Sequence, residues 1–302
     1  MKRYVLYTAI VGGYDKIAQP SIIDSDFDYI LFSNDIPEER VGVWQVRKIP
    51  YKNADNTRVA RWVKLHPDIL LDSYEYSLWH DSNIIVDSYL YYERIKKLIN
   101  RQVLLASMSH NERDCIYDEA YKIIELGLDN KYIVLKEVEY LKGHGYPLHY
   151  GLIETNCILR KHKEDKVRLL NTEWWNMINL YSRRDQLSFN YIAWKHDINI
   201  ELILPRWRNS RNHTYLHAVG HSKWDTSKSK LVWNDLRSKI CRILKPCYYS
   251  YVHTKTNTFA EKYYKGKLWV ICRYLDIITK KYIYSTLIKE KLQVVQPSRL
   301  RC

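Results

Sequence analysis

The first two-thirds of the chain alternate short β-branched and aromatic runs with helix-length amphipathic segments, and this alternation leaves few folds open. Strands are expected at residues 4–11, 29–32, 43–48, 77–80 with 84–86 beyond, and 103–107, each bounded by turn-forming residues. Helices are expected at 56–65, 88–99, 112–126 and 165–181. In the third of these, Cys115, Ala120, Ile123, Ile124 and Leu126 recur at roughly helical spacing. Strands that alternate with helices predict an α/β fold, a mixed and mainly parallel sheet with helices on both faces. Such sheets bind ligands beyond the carboxyl ends of their strands. Four polar groups fall at such ends: Gly12-Gly13-Tyr14-Asp15, Ser33-Asn34-Asp35, Asp81-Ser82-Asn83, and the cluster from His110 to Asp114. Neither a GxGxxG fingerprint nor a phosphate-binding P-loop occurs, so the dinucleotide dehydrogenase and kinase classes lose their main support.

Charge divides the chain. Residues 1–222 hold 30 Lys/Arg and 29 Asp/Glu, whereas residues 223–302 hold 18 and 5. Nearly all of the net +14 therefore sits at one end, which predicts a main domain at 1–224 and a basic, Tyr-rich helical region at 225–302. Within that region Leu236, Ile240, Ile243 and Leu244 follow helical spacing beside Arg237, Lys239, Arg242 and Lys245. Trp269, Tyr274, Ile277, Ile278, Tyr282 and Tyr284 do so among further Lys and Arg. Basic amphipathic helices with interfacial aromatics over 229–291 fit an anionic membrane surface, and equally a helical subdomain packed on the main domain. No nucleic-acid-binding module is recognisable in this basic stretch. Twenty-seven Tyr against four Phe supply amphipathic rings that suit carbohydrate clefts and membrane interfaces, or reflect a biased genomic composition. Six scattered cysteines without a CxxC pair read as reduced thiols. With no signal-peptide pattern and no long apolar run, the expected location is the cytoplasm, with peripheral attachment to the inner face of the plasma membrane as an extension.

The stretch Leu78-Trp79-His80-Asp81-Ser82-Asn83-Ile84-Ile85-Val86 is an apolar strand broken by oxygen-bearing side chains two apart. In an extended chain Asp81 and Asn83 point the same way and suit a hard cation, Mg²⁺ or Mn²⁺. The plain alternative is a turn capped by its Asx side chains. Arg58, Arg61 and Lys64 fall at i, i+3 and i+6 on a predicted helix, either facing phosphates or lying in solvent. Glycines at a strand end, such as Gly13, allow a backbone to approach a ligand or simply turn. Asp185 and Gln186 open a predicted helix, where Asp also serves as an N-cap.

This order of motifs resembles nucleotide-sugar glycosyltransferases of the GT-A fold. Asp81-Ser82-Asn83 is similar to their D-x-D metal site, with Asn83 in place of the second Asp. Asp185-Gln186-Leu187-Ser188-Phe189-Asn190 is similar to the DQxxxN stretch of the retaining family that includes the glycogenins. His217-Ala218-Val219-Gly220-His221-Ser222-Lys223-Trp224 is similar to that family's HxxGxxKPW stretch, without the Pro. A longer resemblance, over about residues 4–200, is to a bacterial and plant glycosyltransferase-like family once labelled a domain of unknown function. His110-x-x-Arg113-Asp114-Cys115-x-Tyr117-x-Glu119-Ala120 and Glu154-Thr155-Asn156-x-x-x-Arg160 are distinctive for it.

The resemblance implies transfer of a sugar from a nucleotide-sugar donor to a glycan or lipid-linked acceptor in surface polysaccharide synthesis. Asp81, Asn83 and His217 would hold Mn²⁺ or Mg²⁺. Thr8, Gly13, Tyr14 and Asp15 would border the nucleoside, and Arg58, Arg61, Lys64, Asn156 and Lys223 would complete the donor site. Glu154, Asp185 and Gln186 would flank the reacting sugar. His110, Arg113, Asp114 and Glu119 form a polar cluster without an assigned duty, as suited to a buried ion pair as to substrate contact. One plant branch of the family is linked to ceramide hydrolysis, which keeps a lipid-amide hydrolase as the alternative, although no GxSxG elbow or HExxH pair is present. A second alternative is a binding module that kept the fold and lost catalysis.

Overall fold

A computed structural model describes residues 4–206, 210 and 214–220. The chain divides into two units, Met1–Arg242 and Ile243–Cys302, and every described residue belongs to the first. The expected boundary at 224 and the basic segment 229–291 lie outside the described residues.

An eight-stranded sheet organises the first unit, in the order β3-β4-β2-β1-β5-β8-β7-β9. Its strands are β1 (Tyr4–Ala9), β2 (Phe27–Phe32), β3 (Arg40–Val41), β4 (Trp44–Arg47), β5 (Tyr76–His80), β7 (Leu105–Ser109), β8 (Ile153–Arg160) and β9 (Glu201–Leu202). Central β1 runs parallel to β2 and β5. Only β3 and β8 run against the common direction. The sheet is thus mixed and mainly parallel, as the alternation predicts. The short β6 (Ile84–Val86) leaves the main sheet and forms an antiparallel ribbon with β10 (Leu216–Ala218).

Alternation along each strand divides the core in two. Val5, Tyr7 and Ala9 of β1 face helices α1 (Asn56–Leu65), α4 (Ile116–Glu125), α5 (Lys131–Gly143), α6 (Asp165–Leu180) and α7 (Gln186–Lys195). Leu6 of β1 and Ile10 just beyond it face α3 (Tyr89–Asn100) on the other side. A short α2 (Pro67–Leu70) follows α1. Helix α1 starts at Asp55, whose carboxylate accepts from the Thr57 amide at 2.9 Å. Near its other end the Lys64 carbonyl accepts from the Tyr7 hydroxyl at 2.8 Å and from Arg160 at 2.6 Å. These bonds satisfy a carbonyl that a helix end leaves without an intrahelical partner, and they fix α1 on the sheet.

Helix α1 occupies its expected span. Helix α4 begins at Ile116, later than the spacing predicts, because the His110 ring accepts from the amides of Glu112 and Arg113 at 3.1 and 2.9 Å and holds them in a turn. Helix α5 was not legible in the pattern: its inward face is Val134, Glu137, Val138 and Leu141, and the buried glutamate interrupts the apolar stripe. Among the described residues no helix is long and apolar enough to cross a membrane.

Candidate functional site

A cavity of about 280 Å³ opens above the carboxyl ends of β1 and β5 and the opposite-running start of β8. The first turns of α1 and α7 close it from one side. Of the residues singled out in the sequence, Tyr14, Asp15, Arg61, Asp81, Asn83, Glu154, Asn156, Asp185 and Gln186 all line it. Segments from six parts of the chain converge there, as is usual beyond the strand ends of a mainly parallel sheet.

The floor is an ionic cluster. Asp185 is 4% exposed, and its two carboxylate oxygens meet Lys64 at 2.5 Å and Arg61 at 3.1 Å. Thr155 donates to the same carboxylate at 2.9 Å. Lys64, with no exposed surface, also lies 3.7 Å from Asp81 and stands over the rings of Trp79 and Trp174. Burial opposes ionisation of Asp185, but Arg61 and Lys64 outweigh it and hold the carboxyl well below the usual range. Expecting Asp185 to cap α7 is therefore corrected. It occupies the N-cap position but makes no capping bond, because its side chain is turned into this cluster. Lys64 is corrected likewise, since it braces the floor from beneath and does not line the cavity.

Strand β8 reaches the site through a bulge. Between Ser107 and Met108 of β7 the register on β8 jumps from Ile158 to Glu154. The Ser107 hydroxyl, fully buried, bridges the bulge with contacts to the carbonyls of Glu154 at 3.1 Å and Cys157 at 2.7 Å. Bulges re-aim side chains beside binding sites. Here Thr155 meets Asp185, while Glu154 and Asn156 line the cavity. Asn156 donates to Ser210 at 2.6 Å, and its buried Oδ1 has no hydrogen-bond partner among the described residues. The buried Nε2 of Gln186 is in the same state. Asn156 Oδ1 and Gln186 Nε2 thus put an acceptor and a donor without a hydrogen-bond partner among the described residues into the cavity wall.

Asp81-Ser82-Asn83 is a turn: the Ile84 amide donates to the Asp81 carbonyl at 2.9 Å. The turn also lies on the cavity wall. Asp81 Oδ1 accepts from the Trp79 indole at 2.8 Å, which leaves Oδ2 for a ligand. Asn83 donates through Nδ2 to the Val219 carbonyl at 3.0 Å, so its amide oxygen remains. The hydroxyl of Ser82 donates to Asp15. His80 lies on the opposite face against Tyr91, and burial pulls its pKa down to about 3, so it is neutral at physiological pH.

Other expected residues sit apart from the cavity. His217, on β10, is paired through Nδ1 with Asp87 and does not line it. Arg58 is held by Asp55 at 2.9 Å and by the Tyr181 carbonyl at 3.2 Å, so it ties α1 to the segment before α7. Thr8 faces a small recess of about 10 Å³ shared with Trp44, His80 and Asp81. Gly13 follows Gly12 in a left-handed turn whose amides donate to the Asp35 carboxylate, at 3.2 and 2.5 Å respectively. Lys223 lies outside the described residues. The cluster of His110, Arg113 and Glu119 is an ion-pair network, with Arg113 Nε 2.6 Å from Glu119 and His110 Nε2 3.8 Å from it. Asp114 pairs instead with His149 at 2.8 Å. Arg184, Ser82 and Asn56 also line the main cavity and were not singled out for it. Proximity to Asp81 and Asp185 in sequence was the signal for the first two.

A 167-residue stretch is 26% identical to the probable hexosyltransferase MUCI70 of Arabidopsis thaliana, covering 51% of this chain and 28% of that protein. The chain thus matches only a little over a quarter of that relative's length. The apo structure of the bifunctional glycosyltransferase WbbM superposes over 67% of this chain and 38% of its own, with 12% identity and a TM-score of 0.37. A family model describing the TOD1/MUCI70 glycosyltransferase-like domain matches residues 1–221. Its span takes in the whole cavity and every wall described above, and the chain belongs to the TOD1/MUCI70 glycosyltransferase-like family.

Proposed function

We propose that the protein transfers a hexose from a nucleotide-sugar donor to a glycan or lipid-linked acceptor. The observation that carries this reading is the pair of unused polar atoms on the cavity wall, Asn156 Oδ1 and Gln186 Nε2. A sugar hydroxyl both donates and accepts, so it suits either atom, and leaving them unsatisfied costs free energy. The likeness to a probable hexosyltransferase supports the same substrate class.

In this reading Tyr14 and Asp15 border the nucleoside, and Arg61 faces the diphosphate. Asp81 and Asn83 fit a divalent cation of the Mg²⁺ or Mn²⁺ type, because each has an oxygen left over on one cavity wall. Such an ion, when bound, offsets charge on the diphosphate. In the transfer itself the acceptor hydroxyl oxygen bonds to the anomeric carbon. The bond from that carbon to the diphosphate oxygen breaks, its electron pair leaves with the nucleoside diphosphate, and the hydroxyl proton passes to Glu154. Asp185 acts as a positioning residue: it holds Arg61 in place and receives Thr155, and both of its oxygens are engaged. The basic segment 229–291 would hold the enzyme to an anionic membrane surface, where a lipid-linked acceptor would be met.

A thermal-stability screen against UDP, GDP, CMP and dTDP sugars, with and without Mn²⁺, tests the proposal, since a ligand selective for the native state raises its stability. One nucleotide class should raise the unfolding temperature, more with Mn²⁺ than without, and Asp81→Ala should abolish the Mn²⁺ increment. No shift with any conjugate, together with no hydrolysis of any, would sink the reading.

A further inference from the structure

A second recess, of about 490 Å³, adjoins the first along β8 and α7. Ile153 and Asn190 line the second, whereas the neighbouring Glu154 and, one turn earlier on α7, Gln186 line the first. Donor chemistry leaves this larger recess unused. We infer that it is a carbohydrate-binding site that receives the non-ionic end of a glycan acceptor.

Three features point to that ligand. The first is a fixed aromatic platform. Tyr150 and Trp194 both line the recess, and both stand edge-on to the buried Tyr146, with ring centroids 6.0 and 5.4 Å from it. Tyr146 is anchored in turn, because its carbonyl accepts from the Tyr117 hydroxyl at 2.7 Å. Rings held this way offer apolar faces to the C–H surface of a pyranose without losing side-chain freedom on binding. The second is neutral, planar polarity. Asn190 accepts from the Ile153 amide at 3.0 Å through Oδ1, which leaves its Nδ2 hydrogens for a ligand, and the exposed Asn199 amide lies on the same wall.

The third feature is the state of the charges. Arg113 is held by Glu119 and Asp114 by His149, and the other two charged lining residues, Arg206 and Asp197, are of opposite sign, so the lining carries no excess of either charge. A phosphate or carboxylate ligand would call for an excess of positive charge, and a lipid chain would call for an unbroken apolar wall. Neither describes this lining. The cluster of His110, Arg113 and Glu119 thereby gains a duty: it braces the wall that ends β7, with the His110 amide bonded to the Leu152 carbonyl at 2.8 Å. That a glycan held here is the acceptor rests on the proposed transferase reading; that it binds here does not.

The test uses the full chain and a panel of neutral malto-, cello-, galacto- and manno-oligosaccharides of two to six hexoses. Binding is read by saturation-transfer NMR and titration calorimetry without nucleotide. At least one series should bind. Tyr150→Ala, at a side chain 58% exposed, should weaken that binding about tenfold with the unfolding temperature retained. Asn199→Ala should weaken it as well, whereas Tyr132→Ala, on the exposed side of α5, should not. If no series binds, or if Tyr150→Ala and Asn199→Ala bind as the parent does, the inference is overturned. In transfer assays the Tyr150 variant should raise the acceptor KM more than it lowers kcat. Oligosaccharide binding without any nucleotide-sugar binding would sink the transferase reading and leave the glycan site standing. Donor binding with an unaffected acceptor KM would do the reverse.

Discussion

Asp185 shows what a single side chain settles at this site. Its carboxylate joins α1, β8 and α7 through Lys64, Arg61 and Thr155. Asp185→Asn would leave two buried cations without their counter-charge, and the expected cost is about 3–5 kcal/mol in urea unfolding. The folded pKa of Asp185 is depressed, so the stability it contributes is present above its unfolded value and lost as the pH falls below about 4. Glu137 has the opposite sign. Burial raises it to about 8, while the Ser182 amide at 3.1 Å pulls the other way. The folded chain therefore retains a proton that the unfolded chain releases, and stability declines as the pH rises from about 4.5 to about 8. Glu137→Gln keeps the acceptor for Ser182 and removes the titration. Its unfolding free energy should lack that decline and exceed the parent's at pH 8, as chemical denaturation at several pH values would reveal.

At the scale of elements, the bulge of β8 does most to shape the site. Ser107→Ala removes the hydroxyl that bridges two of its carbonyls, and the expected loss is about 1–3 kcal/mol. Nucleotide-sugar affinity should fall with it, because Thr155 and Asn156 are aimed by the same bulge; a variant that loses stability yet binds donor as tightly as the parent would contradict this. The bulge also marks where sequence reading stops. The strand ends were legible, since β-branched runs stop at Gly12, Asp81 and His110, and α1 was legible over its whole span, although its Asp55 cap was not singled out. So were the members of the cavity wall at Tyr14, Asp15, Asp81, Asn83, Glu154 and Gln186. Register was not, because a bulge depends on the neighbouring strand and leaves no periodic trace. Nor was the placement of His217, since helical and strand spacing say nothing of which ribbon a three-residue strand will join. Lys64 and Arg61 lie one turn apart, yet one is floor and the other wall; that difference comes from the depth of the packing against β1 and α7, not from α1 itself.

Over the whole molecule, charge is the widest pattern. The balance is near zero over 1–222 and strongly positive over 223–302. If the basic end serves as an electrostatic anchor, the full chain should cosediment with vesicles containing phosphatidylserine at low salt and be released at about 0.5 M NaCl, as Debye screening shortens the attraction. Binding that is insensitive to salt, or equal on neutral vesicles, would rule the anchor out. Every described residue that lines the cavity falls within 9–218.

The buried Lys64–Asp185–Arg61 cluster carries one more implication. The contacts that hold the helices to the sheet are the same contacts that set the cavity floor, so natural or laboratory drift has little freedom there: a change that retunes the floor also loosens the fold. Diversification of donor preference should accordingly accumulate at the rim, at Tyr14, Asp15 and Asn83, where side chains reach solvent and substitutions are nearly neutral for stability. A library restricted to those three positions should yield far more folded variants with altered nucleotide-sugar selectivity than one of equal size at Arg61, Lys64 and Asp185.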